Sequence, residues 1–262
     1  MDGPTVADGE GGTGDTRPVE SGVVSSHDAP VEPMQIVRDL LDATRTDGDV
    51  DPHLTVLARA SPTALGPLHE DRALALAFFT NLYNAGTQVL LARRPALYEG
   101  PLRTVRFFRA PCVTVAGTPL SLNDIEHGVL RGSKSSLGLG YLPRLRPGTF
   151  ERRYRVETVD PRIHFALNCG AASCPAIRAY EPDRIDDQLD LATRSYLEAT
   201  VEYDPATDVV TVPRVFLWYR GDFGGGAGVR EFLAGHGAIP EGTDPRLRYR
   251  SWDWRPVPRK FA

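Results

Sequence analysis

The sequence predicts a single α+β domain, and three observations carry that prediction. From His69 to Arg93, closed by Pro95, the side chains of Leu74, Leu76, Phe78, Phe79, Leu82, Tyr83, Val89, Leu90 and Leu91 cover most of a helix's circumference, the pattern of a helix buried nearly all round. Short apolar or alternating runs at 105–108, 112–116, 163–168, 200–203 and 209–212 read as strands of a small mixed or antiparallel sheet. Finally, 262 residues suit one domain plus a tail better than two full domains.

The elements follow in order. Residues 1–33 are rich in Gly, Pro, Ser, Thr and acids, with six acids through Asp28 against Arg17 alone. They read as a disordered acidic tail that includes His27, and the folded domain runs over 34–262. Pro33 suits a first helical position, and Ile36, Val37, Leu40 and Leu41 recur at helical spacing up to Thr46-Asp47-Gly48. On the helix at 69–93 the amides of Asn81, Asn84 and Gln88 form a narrow polar strip, which either fixes loop backbones or lines a polar pocket. Ser121 and Asp124 have the spacing of a capping box opening a helix with Leu122, Ile125, Val129 and Leu130 on its apolar stripe. Residues 132–150 form a long irregular loop of the kind that covers a site. After the strand at 163–168 come a helix at Asp183–Glu198, a hairpin turning at 204–208, short helices at Arg214–Tyr219 and Val229–His236, and an extended aromatic stretch at Leu247–Trp254. GDFGGGAG at 221–228 lacks the Lys and Ser/Thr of a phosphate loop and reads as a flexible hinge.

Composition excludes several classes. A net charge of −4 without a Lys/Arg run argues against binding nucleic acid through phosphate neutralisation. No stretch approaches 18 apolar residues, so no membrane span is expected. The first 30 residues show no secretory pattern and the three cysteines are odd in number, which points to reduced thiols and a cytoplasmic protein. Only Lys134 and Lys260 are lysines among 30 basic residues, a bias read as compositional.

Two segments concentrate reactive side chains. In Asn123–His127, Glu126 sits inside an apolar stripe, where desolvation is expected to raise its pKa toward that of a general acid or base. His127 beside it suits a base, a ligand or a surface residue. In DPRIHFALNCGAASCP, 160–175, Cys169 stands where a strand gives way to a turn, a common place for a nucleophile. Cys174 precedes Pro175, where a short helix would lower its thiol pKa. A straight strand would point His164 and Cys169 to opposite faces, so His127, oriented by Glu126 or Asp124, is the expected base. His127, His164, Cys169 and Cys174 together also offer a metal ligand set, although their spacing is unlike a zinc knuckle. Cys112 reads as a core thiol.

AFFTNLYNA at 77–85, SLNDIEHGVLRG at 121–132, DPRIHFALNCGAASCPAI at 160–177, DDQLDLATRSYL at 186–197, VFLWYRGDF at 215–223 and SWDWRPV at 251–257 occur in order, and together they resemble the DUF547 family, a domain of unknown function. The resemblance implies a common site built from its recurring polar positions, here Asn81, Tyr83, Asn84, Glu126, His127, His164, Cys169 and Cys174, and implies no particular reaction. The family usually has Trp near Phe79 or Thr80, and Ser-Leu-Asn where this chain has Arg255-Pro256-Val257.

The leading functional expectation is a cysteine-dependent hydrolase or acyl transferase acting on a small-molecule or peptide-like amide or ester, without a cofactor. Cys169, or Cys174 in second place, would be the nucleophile, His127 its base and Asn81 or Asn84 an oxyanion donor, with Tyr83 and His164 completing the site. Histidine before cysteine matches the chain order of permuted papain-like enzymes, an analogy of fold only. A non-catalytic domain that binds a protein partner is the competing expectation, and a metal-dependent enzyme with His and Cys ligands is the third.

Overall fold

Pro33 opens helix α1 (Pro33–Thr46), and Asp47, in the left-handed region at φ 59°, ends it. The structure is a computed structural model and describes Met1, Gly3 and residues 32–262. The acidic segment up to Val31, His27 included, therefore lies outside the described residues apart from Met1 and Gly3. Ile36, Val37, Leu40 and Leu41 of α1 are buried as their spacing predicts. After α2 (Asp51–Arg59) and the short α3 (Pro67–Glu70), the chain enters α4 (Arg72–Arg93). The expected single helix from His69 is interrupted at Asp71, whose extended backbone frees its carboxylate to accept the Ala73 and Leu74 amides as the cap of α4. Every residue of α4 from Ala75 to Leu91 is buried, against α1, the β1 strand (Pro111–Val115) and a π-helix at Asp124–Leu130.

The run at 105–108 is helical instead of extended. It lies in α5 (Arg103–Arg109), which buries Phe107 edge-on against Tyr98 at 4.8 Å. Four residues are too few for periodicity to separate a strand from a helical turn. β1 pairs antiparallel with β2 (Thr118–Ser121) across a turn at Ala116 and Gly117, both at positive φ. Ser121 and Asp124 do exchange capping bonds: Asp124 Oδ2 accepts from the Ser121 hydroxyl (2.6 Å) and amide (3.1 Å). The segment they open winds as the π-helix, where an α-helix was expected, and carries Glu126 and His127. α6 (Thr149–Tyr154) follows the 132–148 loop.

The expected strand at 163–168 is instead a 3-10 helix, Pro161–Phe165, because Pro161 fixes the first turn and Asp160 accepts the Arg162 amide. Ile163 belongs to the apolar cluster around α4, and Phe165 to a second cluster around α7 (Ile185–Thr200), α8 (Val215–Trp218) and α9 (Gly225–Gly235). His164 thus stands at the junction of the two cores. No helix begins at Pro175, so the helix-cap expectation for Cys174 does not hold. β3 (Glu202–Asp204) and β4 (Val209–Val212) form the expected hairpin, and β5 (Arg246–Tyr249) joins β4 in parallel to complete a mixed three-stranded sheet. Small sheets packed on helices make this an α+β fold. Among the described residues no helix is long and apolar enough to cross a membrane.

Candidate functional site

A cavity of about 500 Å3 gathers Tyr83 from α4, Glu126 and His127 from the π-helix, His164 from the 3-10 helix, Cys169 and Cys174 from the following turn, and Tyr219 just after α8. Six of the eight polar positions singled out in the sequence therefore share one cavity. The other two, Asn81 and Asn84, do not line it. Asn81 holds Tyr180 from both sides, donating to its carbonyl at 2.8 Å and accepting its amide at 2.9 Å. Asn84 does the same for the segment beside the cysteines, donating to Ala166 O (3.0 Å) and accepting from Asn168 N (2.8 Å). Of the two roles open to this amide strip, fixing backbones is the one these bonds fill, and the oxyanion role has no support in them.

The charged centre is Asp222, whose side chain is fully buried. Its carboxylate receives Arg131 Nε (2.6 Å) and Nη2 (3.2 Å), the Lys134 ammonium (3.1 Å) and His164 Nε2 (2.9 Å). The His164 and Arg131 hydrogen bonds outweigh burial and hold the Asp222 carboxyl well below its ordinary value. Because Asp222 accepts at Nε2, His164 carries its proton there and leaves Nδ1 without a hydrogen bond among the described residues. Burial lowers its pKa against the pull of Asp222. Its ring lies flat on Tyr219.

His127 is held the opposite way. Arg131 Nη1 is 2.7 Å from His127 Nδ1, and a guanidinium only donates, so Nδ1 is an acceptor and the proton sits on Nε2. Burial lowers the imidazole to about 4, with Glu126 opposing and Arg131 adding to the drop. Glu126 Oε1, at 3.8 Å from Nδ1, is beyond hydrogen-bond reach and does not orient the ring. The expected rise in the Glu126 pKa is also reversed. Burial pushes it up, but His127, the Tyr219 hydroxyl and Arg131 outweigh burial and hold the carboxylate ionised.

Cys169 Sγ and Cys174 Sγ are 2.7 Å apart, and the Cys169 amide points at Cys174 Sγ from 3.2 Å. Hydrogen bonding to Cys174, then burial, pushes the Cys169 thiol up. For Cys174, burial acts upward, but the Cys169 S–H, the amides of Cys169 and Ala171 and the Lys260 ammonium win and lower it. Lys260 Nζ donates to Ala172 O (2.9 Å) and Cys174 O (2.5 Å), so both lysines of the chain serve this site. The carboxy-terminal segment frames the turn further: Ala172 N donates to Arg255 O, and Val257 N donates to Gly170 O. The departure of Arg255-Pro256-Val257 from the family pattern thus falls on backbone contacts, which side-chain identity leaves intact. Cys112 is buried in β1 with its thiol raised to about 12.

Sequence reasoning assigned no role to Asp222, Arg131 or Tyr219. Arg131 lies one turn beyond His127, and Tyr219 and Asp222 both lie within VFLWYRGDF, so the signal was present in segments already marked. The stretch read as a hinge is pinned: a Cβ on Gly221 would stand 2.6 Å from the Gly140 carbonyl carbon, and one on Gly140, at φ 85°, would stand 3.0 Å from Asp222 Oδ1. That close approach seats the 132–148 loop on the Asp222 cluster, where Gly221 N donates to Leu139 O at 2.8 Å. Among the described residues no three His, Cys, Asp or Glu side chains are grouped as metal ligands, and His164 Nε2 and His127 Nδ1 are already taken by Asp222 and Arg131.

Around the mouth, Leu137, Leu139, Val105 and Phe108 join Trp218, Trp252 and Trp254 in an apolar lining. Leu137 is 73% and Leu139 44% exposed. Comparison with curated proteins and with solved structures gave no match. The family model DUF547, described as a protein of unknown function, matches residues 69–197, a span that contains Tyr83, Glu126, His127, His164, Cys169 and Cys174 and stops short of Tyr219 and Asp222. The match identifies a DUF547 domain within the chain, over residues 69–197.

Proposed function

We propose that the chain is a thiol-dependent hydrolase or acyl transferase acting on an ester or amide whose acyl part is apolar. The observation that carries this reading is the Asp222–His164 hydrogen bond at 2.9 Å, which leaves Nδ1 without a partner among the described residues, on a histidine that lines the same cavity as the cysteine pair. His164 takes the part that spacing assigned to His127, with Asp222 as the carboxylate that orients it. Cys169 is the nucleophile, since it is partly exposed whereas Cys174 is 2% exposed.

In the first step the Cys169 thiol passes its proton to His164 Nδ1 and its sulfur adds to the substrate carbonyl carbon. Asp222 stabilises the imidazolium that forms. The tetrahedral oxyanion meets the Nε2–H of neutral His127 and the Tyr83 hydroxyl, which have no other hydrogen-bond partner among the described residues. Collapse returns the proton from His164 to the leaving oxygen or nitrogen and yields an S-acyl enzyme. Water, or an acceptor nucleophile, then gives its proton to His164 and releases the acyl group. The exposed leucines and the tryptophans of the mouth favour an apolar acyl chain over a charged one.

The test is incubation with a series of p-nitrophenyl acyl esters of increasing chain length. The expected result is a burst of nitrophenol equal to one enzyme equivalent, with the acyl mass on Cys169, abolished in Cys169→Ala and slowed by orders of magnitude in His164→Gln. Unchanged release in Cys169→Ala, or no acylation across the series, overturns the reading.

A further inference from the structure

The turn Cys169–Cys174 is built more tightly than a single nucleophile requires. Asn168 ties both flanks of the six-residue turn, accepting the Gly170 amide at 2.8 Å and donating to Pro175 O at 2.6 Å. Gly170 takes φ 87°, a conformation open to glycine, and a Cβ there would meet Leu91 at 2.9 Å. Ser173 is held on two sides, its carbonyl by the Tyr196 hydroxyl (2.9 Å) and its Oγ by the Asp253 amide (2.8 Å). Lys260 fixes the carbonyls of Ala172 and Cys174. All of these bonds converge on one outcome: two sulfurs held 2.7 Å apart at the cavity, Cys169 the more exposed of the two.

We propose that Cys169 and Cys174 are a reversible dithiol–disulfide couple, oxidised through the cavity by a small disulfide of the glutathione class. The separation needs to close by roughly 0.7 Å to reach a bonded S–S distance of about 2.05 Å. Cys174 loses the first proton, and across the 2.7 Å contact the Cys169 proton passes to Cys174 as Cys169 attacks. Cys169 thiolate attacks one sulfur of the incoming disulfide, forms a mixed disulfide and expels one thiolate. Cys174 gives up its proton and attacks Cys169 Sγ, expelling the second thiolate. Two electrons pass from the protein to the small disulfide, which leaves as two thiols, and the protein keeps one intramolecular bond. Cys112 takes no part, since it is buried in β1 with its thiol hydrogen-bonded toward Leu120 O. Where Cys169 also carries out acyl transfer, the one element here that rests on the preceding proposal, the disulfide is its inactive state.

The experiment equilibrates the full chain in mixtures of reduced and oxidised glutathione, quenches with acid, alkylates with maleimide and weighs the intact protein. The expected result is a single transition in which two labels vanish together and the mass falls by two hydrogens, with the bond mapped between residues 169 and 174. In Cys174→Ser, Cys169 is expected to accumulate as the mixed glutathione disulfide. Lys260→Met is expected to shift the transition without abolishing it. Three labels retained at every poise, or a wild-type mixed disulfide that persists with Cys174 still alkylated, overturns the proposal. Because the readout is mass and not turnover, a chain that forms the bond and hydrolyses no ester retains this inference and loses the other. The reverse result does the opposite.

Discussion

His164 lies flat on Tyr219, the ring centroids 4.0 Å apart and the planes 10° from parallel. Tyr219 also carries the Arg131 guanidinium 4.5 Å from its ring centroid, so one aromatic side chain sets both the imidazole and the cation that grip Asp222. Tyr219→Phe keeps the stacking face and loses only the hydroxyl beside Glu126. Its expected cost is about 1 kcal/mol. Tyr219→Leu removes the face, worth about 0.5–1.5 kcal/mol beyond buried area, and frees the ring of His164. Titration of His164 by NMR is the measurement: its pKa is expected to move up toward the ordinary histidine value in Tyr219→Leu and to stay depressed in Tyr219→Phe.

Asp222 is the counter-charge of a buried cation. Its side chain and that of Arg131 are both fully buried, while Lys134 keeps 29% exposure. Asp222→Asn leaves the guanidinium without its carboxylate, and urea unfolding is expected to show a loss of about 3–5 kcal/mol. Lys134→Gln removes a half-solvated partner and is expected to cost about 1 kcal/mol or less. Equal costs for the two variants would mean that Arg131 is stabilised elsewhere.

Acid is expected to weaken the fold in a window set by the histidines. His127 titrates near 4 when folded and near 6.5 when unfolded, so below 6.5 the unfolded chain binds more protons and stability falls with pH. His164, lowered in the same direction, adds to this slope. Each group contributes at most about 1.4 kcal/mol per pH unit. Glu126 and Asp222 are lowered carboxylates, whose contributions are present above their unfolded pKa values and lost only at more acid pH, below about 4. Thermal unfolding followed from about pH 7 to about 4.5 is expected to show the midpoint falling, with a shallower slope in His127→Gln.

The long apolar segment of α4 was legible because seventeen consecutive positions from Ala75 to Leu91 are buried, and only a helix at the centre of a core reads that way. The site was legible as a set of residues but not as a geometry. Placing His164 and Cys169 on opposite faces followed from reading 163–168 as a strand. Asp160 and Pro161 make a 3-10 turn there, and both side chains reach one cavity. The expected orientation of His127 by Glu126 does not hold, for a different reason. Adjacency to Glu126 in sequence says nothing about which neighbour takes Nδ1, and Arg131, one turn on, takes it at 2.7 Å. Asp222, more than fifty residues beyond His164, reaches the site through the packing of α8 and of the 132–148 loop, a long-range relation with no local signature.

The amides of Asn81 and Asn84 test how far the scaffold of the site extends. Both are fully buried, and each closes two hydrogen bonds on a distant backbone. Replacing either with Ala strands one amide and one carbonyl in the core, at about 1–3 kcal/mol for each group left unsatisfied, so each variant is expected to lose about 2–4 kcal/mol after partial relaxation. Their effects on the thiols should differ. Asn84 grips Ala166 and Asn168, and Asn168 in turn ties the cysteine turn at Gly170 and Pro175, whereas Asn81 grips Tyr180, beyond the turn. Alkylation of Cys169 by iodoacetamide, measured under conditions where both variants stay folded, is expected to change in rate and pH midpoint in Asn84→Ala and to match wild type in Asn81→Ala. Equal changes in both would show that the turn is held by the packing of α4 as a whole, and not by the chain of bonds running through Asn84 and Asn168.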